Sequence, residues 1–229
     1  MAKYQTIFFD LDDTLIDFKR SEVASLALCY EQFFKNNVDR KTFYSDYTRI
    51  NLSLWELVEQ NQIPSSGVRK ERFCQLLALY KMPQEMNIAT FYEDLLVEHC
   101  AWIEGAPELL QHLQAHHIQI GFISNGFSDL QRKKCEKLQA GRYSKTLIIS
   151  EEIGISKPHP EIFLYALARI QGEIATSLMV GDSLFSDGAG ARNVGMDFCW
   201  YNPERLEKQL DFEPHLIIHN LVEPILTFT

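Results

Sequence analysis

The sequence predicts an α/β protein: a doubly wound, Rossmann-like parallel sheet with an inserted all-helical domain. Three observations predict it. Short apolar runs rich in β-branched and aromatic residues recur along the chain, as strands covered on both faces require. From residue 118 onward those runs alternate with helical patterns, the arrangement of strand–helix–strand crossovers. Between the first run and the others lies a long stretch with no convincing strand pattern.

The first run, Thr6-Ile7-Phe8-Phe9, follows Met1-Ala2-Lys3-Tyr4 directly, with no signal-peptide layout before it. It closes on the acidic cluster Asp10, Asp12, Asp13. Four helix-length segments then follow, at 20–36, 40–61, 66–81 and 86–101. Turn-forming stretches at residues 61–67 and 81–83 punctuate them. Glu104-Gly105-Ala106-Pro107 reads as the return to the sheet, because Gly permits the turn and Pro suits a helix start. The segment Ala106 to His117 places Leu109, Leu110 and Leu113 on one face of a helix. Strand runs follow at Ile118–Ile123, Thr146–Ile149, Leu178–Val180, Phe198–Tyr201 and Leu216–Ile218. A second amphipathic helix, Pro160 to Ile170, aligns Ile162, Phe163, Ala166, Leu167 and Ile170. The expected organisation is a discontinuous α/β core, residues 1–17 and 102–229, around a helical unit at 18–101.

Composition narrows the function. Lys and Arg number 22 against 31 Asp and Glu, a formal net charge of −9. Nucleic-acid polymers are held chiefly by basic surface, so they are poor partners for this chain. An anionic small molecule remains possible wherever a local cation reverses the sign. The five cysteines, at 29, 74, 100, 135 and 199, form no CxxC pair, and their odd, scattered set argues against a disulfide framework. No stretch approaches the roughly 18 consecutive apolar residues of a membrane span. A cytoplasmic protein with reduced thiols is expected.

Four polar sites fall at or beyond carboxyl ends of predicted strands, where open α/β sheets place their ligand crevice. They are Asp10-Leu11-Asp12-Asp13-Thr14, Ser124-Asn125-Gly126, Lys157-Pro158, and Gly181-Asp182-Ser183 with Asp187. Each alone is ordinary turn or cap chemistry. Together they describe one crevice. Clustered carboxylates repel unless a cation joins them, and hard oxygen ligands suit Mg²⁺. Metal, lysine and hydroxyl then form a small positive pocket for a phosphate. One carboxylate can attack phosphorus and a second can move the proton, which divides a difficult hydrolysis into two steps. Fixed donors stabilise the charge of the transferring group.

In order and spacing, Asp10-x-Asp12-x-Thr14, Ser124, Lys157-Pro158 and Gly181-Asp182-Ser183-x-x-x-Asp187 resemble the four motifs of the haloacid dehalogenase superfamily of phosphatases. The resemblance spans nearly the whole chain. It implies that Asp10 is the nucleophile and Asp12 the general acid/base, while Ser124, Asn125 and Lys157 bind the phosphoryl group. It implies Mg²⁺ held by the Asp10 side chain, the Asp12 backbone carbonyl and Asp182, with Asp187 and Thr14 in support. The helical unit then corresponds to that superfamily's mobile cap. Haloalkanoate dehalogenases replace the aspartate found here as Asp12, so dehalogenation is disfavoured.

Further segments resemble bacterial pyrimidine 5′-nucleotidases of the superfamily: Asn51-Leu52-Ser53-Leu54-Trp55, Ser124-Asn125-Gly126-Phe127, residues 150–158, and Phe198-Cys199-Trp200. By that resemblance the partner is a small phosphorylated metabolite, a pyrimidine nucleoside monophosphate, non-canonical ones included. Asn51 and Trp55 lie four apart on one helix face. Stacking of a base and simple packing are equally open to Trp55. Phe18 and Phe127, beside the first and second motifs, carry the same two readings. A phosphoglycolate or sugar-phosphate phosphatase is the nearer alternative. More remote are a phospho-accepting signalling module and a catalytically silent binding protein. His112, His116 and His117 have no accompanying carboxylate or cysteine, and with the run Arg132-Lys133-Lys134 they are expected on solvated helix faces.

Overall fold

The computed structural model describes residues 3–60, 62–84, 86–207, 212–222 and 228. It divides into two compact units, Met1–Asp17 with Ala101–Thr229, and Phe18–Cys100.

The first unit is built on a parallel sheet. Its elements in chain order are β1 (Thr6–Phe9), then, beyond the helical unit, α5 (Ala106–Ala115), β2 (Gln119–Ser124), α6 (Ser128–Lys137), β3 (Thr146–Ile149), the short α7 (Ser150–Ile153), α8 (Pro160–Ile170), β4 (Ser177–Gly181), α9 (Gly190–Val194), β5 (Asp197–Tyr201) and β6 (Leu216–Ile218). Among the described residues the sheet has six strands in the order β3-β2-β1-β4-β5-β6. All five pairings are parallel; in β1, Phe8 sits opposite Gly121 on one side and Met179 on the other. The chain therefore winds outward from β1 to β3, returns to β4 on the other flank, and winds out again. Doubly wound sheets open their crevice at such a reversal, beyond the carboxyl ends of the strands.

Burial explains why these runs became strands. Every residue of β1 and β4 is buried, as expected of a sheet covered on both faces. On one face, Phe8, Ile123 and Met179 pack with Ile162, Phe163, Ala166 and Leu167 of α8 and with Phe198 and Trp200 of β5. α5 also buries Leu109, Leu110 and Leu113, the stripe its periodicity predicts. α5 ends two residues earlier than the pattern suggested, because His117 adopts a left-handed conformation that stops the helix.

The second unit is helical: α1 (Phe18–Cys29), α2 (Arg40–Glu59), α3 (Ser65–Leu79) and α4 (Ile88–His99). The helix expected over 20–36 is α only to Cys29 and then widens to a π-helical turn over Tyr30–Phe34. Asp39 caps α2, its carboxylate accepting from the Thr42 N–H at 3.0 Å. Phe34, Phe43, Tyr47, Phe73 and Tyr92 supply an aromatic interior. Within it, Tyr92 Oη lies 2.9 Å from Tyr47 Oη and 3.1 Å from Glu22 Oε1. Among the described residues, no helix is long and apolar enough to cross a membrane.

Candidate active site

Asp10 continues β1 by one residue, its N–H bonded to the Val180 carbonyl at 2.9 Å. The chain then folds back tightly: the Leu15 and Ile16 N–H groups both bond to the Leu11 carbonyl, and Asp13 takes a left-handed conformation. Thr14 is fully buried and fastens this loop to the end of β4. Its hydroxyl accepts from the Asp182 N–H at 3.0 Å and donates to Asp182 Oδ1 at 3.4 Å. From β5, Trp200 Nε1 donates to the Asp182 carbonyl at 3.0 Å. The β1 and β4 loops are thus held together by polar side chains at the point where the winding reverses.

Asp10, Asp182 and Asp187 converge, each offering an oxygen within 4.8 Å of the others. Gly181 makes this possible, since a β-carbon there would lie 2.2 Å from Asp187 Oδ2. Lys157, 2% exposed, sends its ammonium into the cluster. It donates to Asp10 Oδ1, to Asp187 Oδ1 at 2.7 Å and to the Ile123 carbonyl at 2.9 Å.

Electrostatics follow from this packing. Burial pushes the Asp10 carboxyl up to about 7; Lys157 opposes the shift and Asp187 adds to it. Burial likewise lifts Asp182 to about 7, with Asp10 and Asp13 reinforcing it. Asp187 is raised for the same reason. Burial disfavours the charge on Lys157, but Asp10 and Asp187 outweigh it and hold the ammonium firmly protonated. One lysine against three carboxylates, of which Asp10 and Asp187 are buried and Asp182 half-buried, leaves negative charge in excess. The donor set is entirely oxygen and close enough to share a hard divalent cation, so the residues present fit a Mg²⁺-type ion.

The second motif closes the other side. Ser124, at the end of β2, accepts from the Gly126 N–H at 3.0 Å. Asn125 pairs by both ends of its amide with the backbone of Lys157, at 2.8 Å each, so its side chain holds the lysine loop in place. Phe127 is buried at the start of α6. Of the other candidate pocket residues, Phe18 opens α1 and is half-buried, and Asn51 and Trp55 share a half-buried face of α2. Asn51 Oδ1 accepts from the buried Arg72 guanidinium at 3.2 Å.

The expectation for Arg132-Lys133-Lys134 needs correcting at its last residue. Arg132 and Lys133 are exposed, and Arg132 pairs with Glu152, but Lys134 is buried and donates to Asp12 Oδ1. Gln131, one turn earlier, is also buried; its amide donates to Asp12 Oδ2 at 2.7 Å and to Ser124 Oγ at 2.9 Å. Leu130, Gln131, Lys134 and Cys135 form the inner face of α6 at three- and four-residue spacing. A Gln and a Lys occupying positions of that face were the available signal.

A family model described as haloacid dehalogenase-like hydrolase matches residues 7–201. The chain belongs to this family. It is an enzyme, a hydrolase of the phosphatase kind. Among haloacid dehalogenase-like relatives, YfnB of Bacillus subtilis, named as a HAD-hydrolase, is 31% identical over 97% of this chain and 94% of its own length. The crystal structure of YfnB bound to magnesium superposes with a TM-score of 0.87 at 31% identity, covering 98% of each chain. The pyrimidine 5′-nucleotidase YjjG of Escherichia coli is 32% identical over 96% of both chains. A glyceraldehyde 3-phosphate phosphatase of Pyrococcus abyssi is 30% identical over 86% of this chain and 81% of its own.

Proposed function

We propose that the protein is a Mg²⁺-dependent phosphomonoesterase that works through an aspartyl-phosphate and acts on pyrimidine nucleoside monophosphates. One observation carries the chemistry: Asp10 meets the buried Lys157 ammonium and the Asp182 and Asp187 carboxylates, with Asp12 two residues along the same loop. A lone acid at a strand end needs no such surroundings. A nucleophile that must stay anionic among other acids does.

In this reading Asp10 attacks phosphorus, and the bond from phosphorus to the ester oxygen breaks. Asp12 gives its proton to that departing oxygen. Asp12 then takes a proton from water, whose oxygen attacks the same phosphorus, releasing inorganic phosphate and restoring the Asp10 carboxylate. Ser124, the backbone at Asn125 and Lys157 hold the phosphoryl oxygens throughout. Bound Mg²⁺, held by Asp10, Asp182 and the Asp12 carbonyl with Asp187 and Thr14 behind them, would supply positive charge to the carboxylates and the phosphoryl group. We assign residues 18–101 the selection of substrate, with Phe18, Asn51, Trp55 and Phe127 as the candidate contacts.

The likeness to YjjG over nearly the whole chain favours the nucleotide. The likeness to a glyceraldehyde 3-phosphate phosphatase favours a sugar phosphate as the second reading. Phosphate release from UMP, dUMP, dTMP, phosphoglycolate and glyceraldehyde 3-phosphate, with Mg²⁺ and with EDTA, separates them. The nucleotides should turn over fastest, and only with Mg²⁺. Rapid hydrolysis of a sugar phosphate with none of the nucleotides would overturn the substrate assignment. Wild-type turnover by Asp10→Asn would overturn the mechanism.

A further inference from the structure

We propose that Lys134 and Gln131, on the inner face of α6, are positioning residues that clamp the Asp12 carboxylate by both oxygens and tie it to Ser124. The inference rests on the reading of Asp12 as the proton-transfer group. Lys134 is 1% exposed, and burying an ammonium is costly unless a partner compensates it. An apolar residue of similar length would fill the same space without that cost. The lysine therefore serves a charged target, and its Nζ lies on Asp12 Oδ1. Gln131 engages the other oxygen and Ser124 Oγ together.

The geometry gives the pair a specific task. Asp12 sits in a tight loop after β1, and Ser124 ends β2, the neighbouring strand. A single helix face bridges them, so the proton-transfer group and a phosphoryl-binding hydroxyl keep one spacing. Gly126 leaves room for the bridge, since a β-carbon there would lie 2.1 Å from Gln131 Nε2. Proton transfer demands such fixed geometry, and misplacement by about 1 Å can cost on the order of 10²-fold in rate.

The experiment uses the full-length protein with Mg²⁺ and whichever panel substrate it hydrolyses fastest. It measures kcat, KM, inhibition by inorganic phosphate and thermal midpoint for the wild type, Lys134→Met, Lys134→Arg, Gln131→Met, Asp12→Asn and the double variant Asp12→Asn with Lys134→Met. Lys134→Met should lower kcat on the order of 10²-fold and leave phosphate inhibition unchanged, with partial recovery in Lys134→Arg. In the Asp12→Asn background it should cost nothing further, because its effect runs through Asp12. Gln131→Met should lower kcat and also weaken phosphate inhibition through Ser124. Wild-type kcat in Lys134→Met, or an equal further loss in the double variant, overturns the clamp. If Lys134→Met does not fold, Gln131→Met and Lys134→Arg carry the comparison, and wild-type kcat with unchanged phosphate inhibition in Gln131→Met overturns the clamp. Wild-type turnover by Asp12→Asn overturns the reading beneath it, whereas an inactive Asp12→Asn beside a fully active Lys134→Met overturns the clamp alone.

Discussion

Replacing Lys157 with Met leaves Asp10, Asp182 and Asp187 gathered without the ammonium that meets two of them. Lys157 and Asp187 are almost wholly buried, so solvent screening offers little relief. Removing one partner of a buried ion pair costs about 3–5 kcal/mol while the other stays charged. In a chain of this size each kcal/mol moves the melting midpoint by about 2–4 °C, so a fall on the order of 10 °C is expected. The sign with pH is fixed by the direction of the carboxyl shifts. Asp10 and Asp182 are already raised from 3.8 to about 7, and loss of the Lys157 charge raises them further. A raised carboxyl contributes stability in full below its unfolded value and loses it as pH climbs through its folded value. The deficit of the variant should therefore be smaller near about pH 5, where Asp10 and Asp182 are neutral, and largest near about pH 8. Thermal and urea unfolding of metal-free wild type and variant at both pH values measures it. An equal deficit at both, or none at the higher pH, would refute the view of Lys157 as the counter-ion of the cluster.

Three further outcomes are expected. Under the proposed metal binding, Mg²⁺ would have to displace protons from Asp10 and Asp182, so its stabilisation of the protein should grow as pH rises from about 5.5 to about 8, and a thermal shift independent of pH would count against those ligands. Gly126→Ala would put a β-carbon 2.1 Å from Gln131 Nε2, where ordinary contact begins at 3.4 Å. Gln131 must then retreat by about 1.3 Å, and kcat should fall roughly 10- to 10²-fold; steady-state kinetics at wild-type rate would show that its placement is immaterial. In the helical unit, Tyr92→Phe gives up the hydroxyl between Tyr47 and Glu22, and urea unfolding should register a loss of about 1–2 kcal/mol. No loss would mean that the network contributes nothing there.

Much of this architecture is legible in the chain because burial on both faces leaves a plain mark. Thr6–Phe9 and Thr146–Ile149 are strands with the bounds their apolar runs suggest, and Pro160 to Ile170 is a helix over its whole amphipathic pattern. The acids are legible for a related reason, since Asp10 and Asp182 follow such strands directly. Other features are not. The widened turn at Tyr30–Phe34 interrupts a continuous helical pattern and has no residue signature of its own. The pairing of Asn125 with the Lys157 backbone joins residues 32 apart through a side chain that reads locally as turn chemistry. Lys134 lies in a run of three cations, where composition speaks for solvent; the phase of α6 turns only that one inward.

The sequence by itself determined the class of fold, the strand runs and the identities of the acids and the lysine, because apolar periodicity and the order of residues after each strand are local properties. Only the tertiary structure decided which charges meet. Lys157 reaches Asp10 across 147 residues, and Lys134 reaches Asp12 across 122. Those encounters depend on β1 lying between β2 and β4, and on the face that α6 turns toward the loop after β1. Attraction between buried charges acts over a few ångströms of space and is indifferent to distance along the chain, so strand order and helix phase determine the partners of each acid.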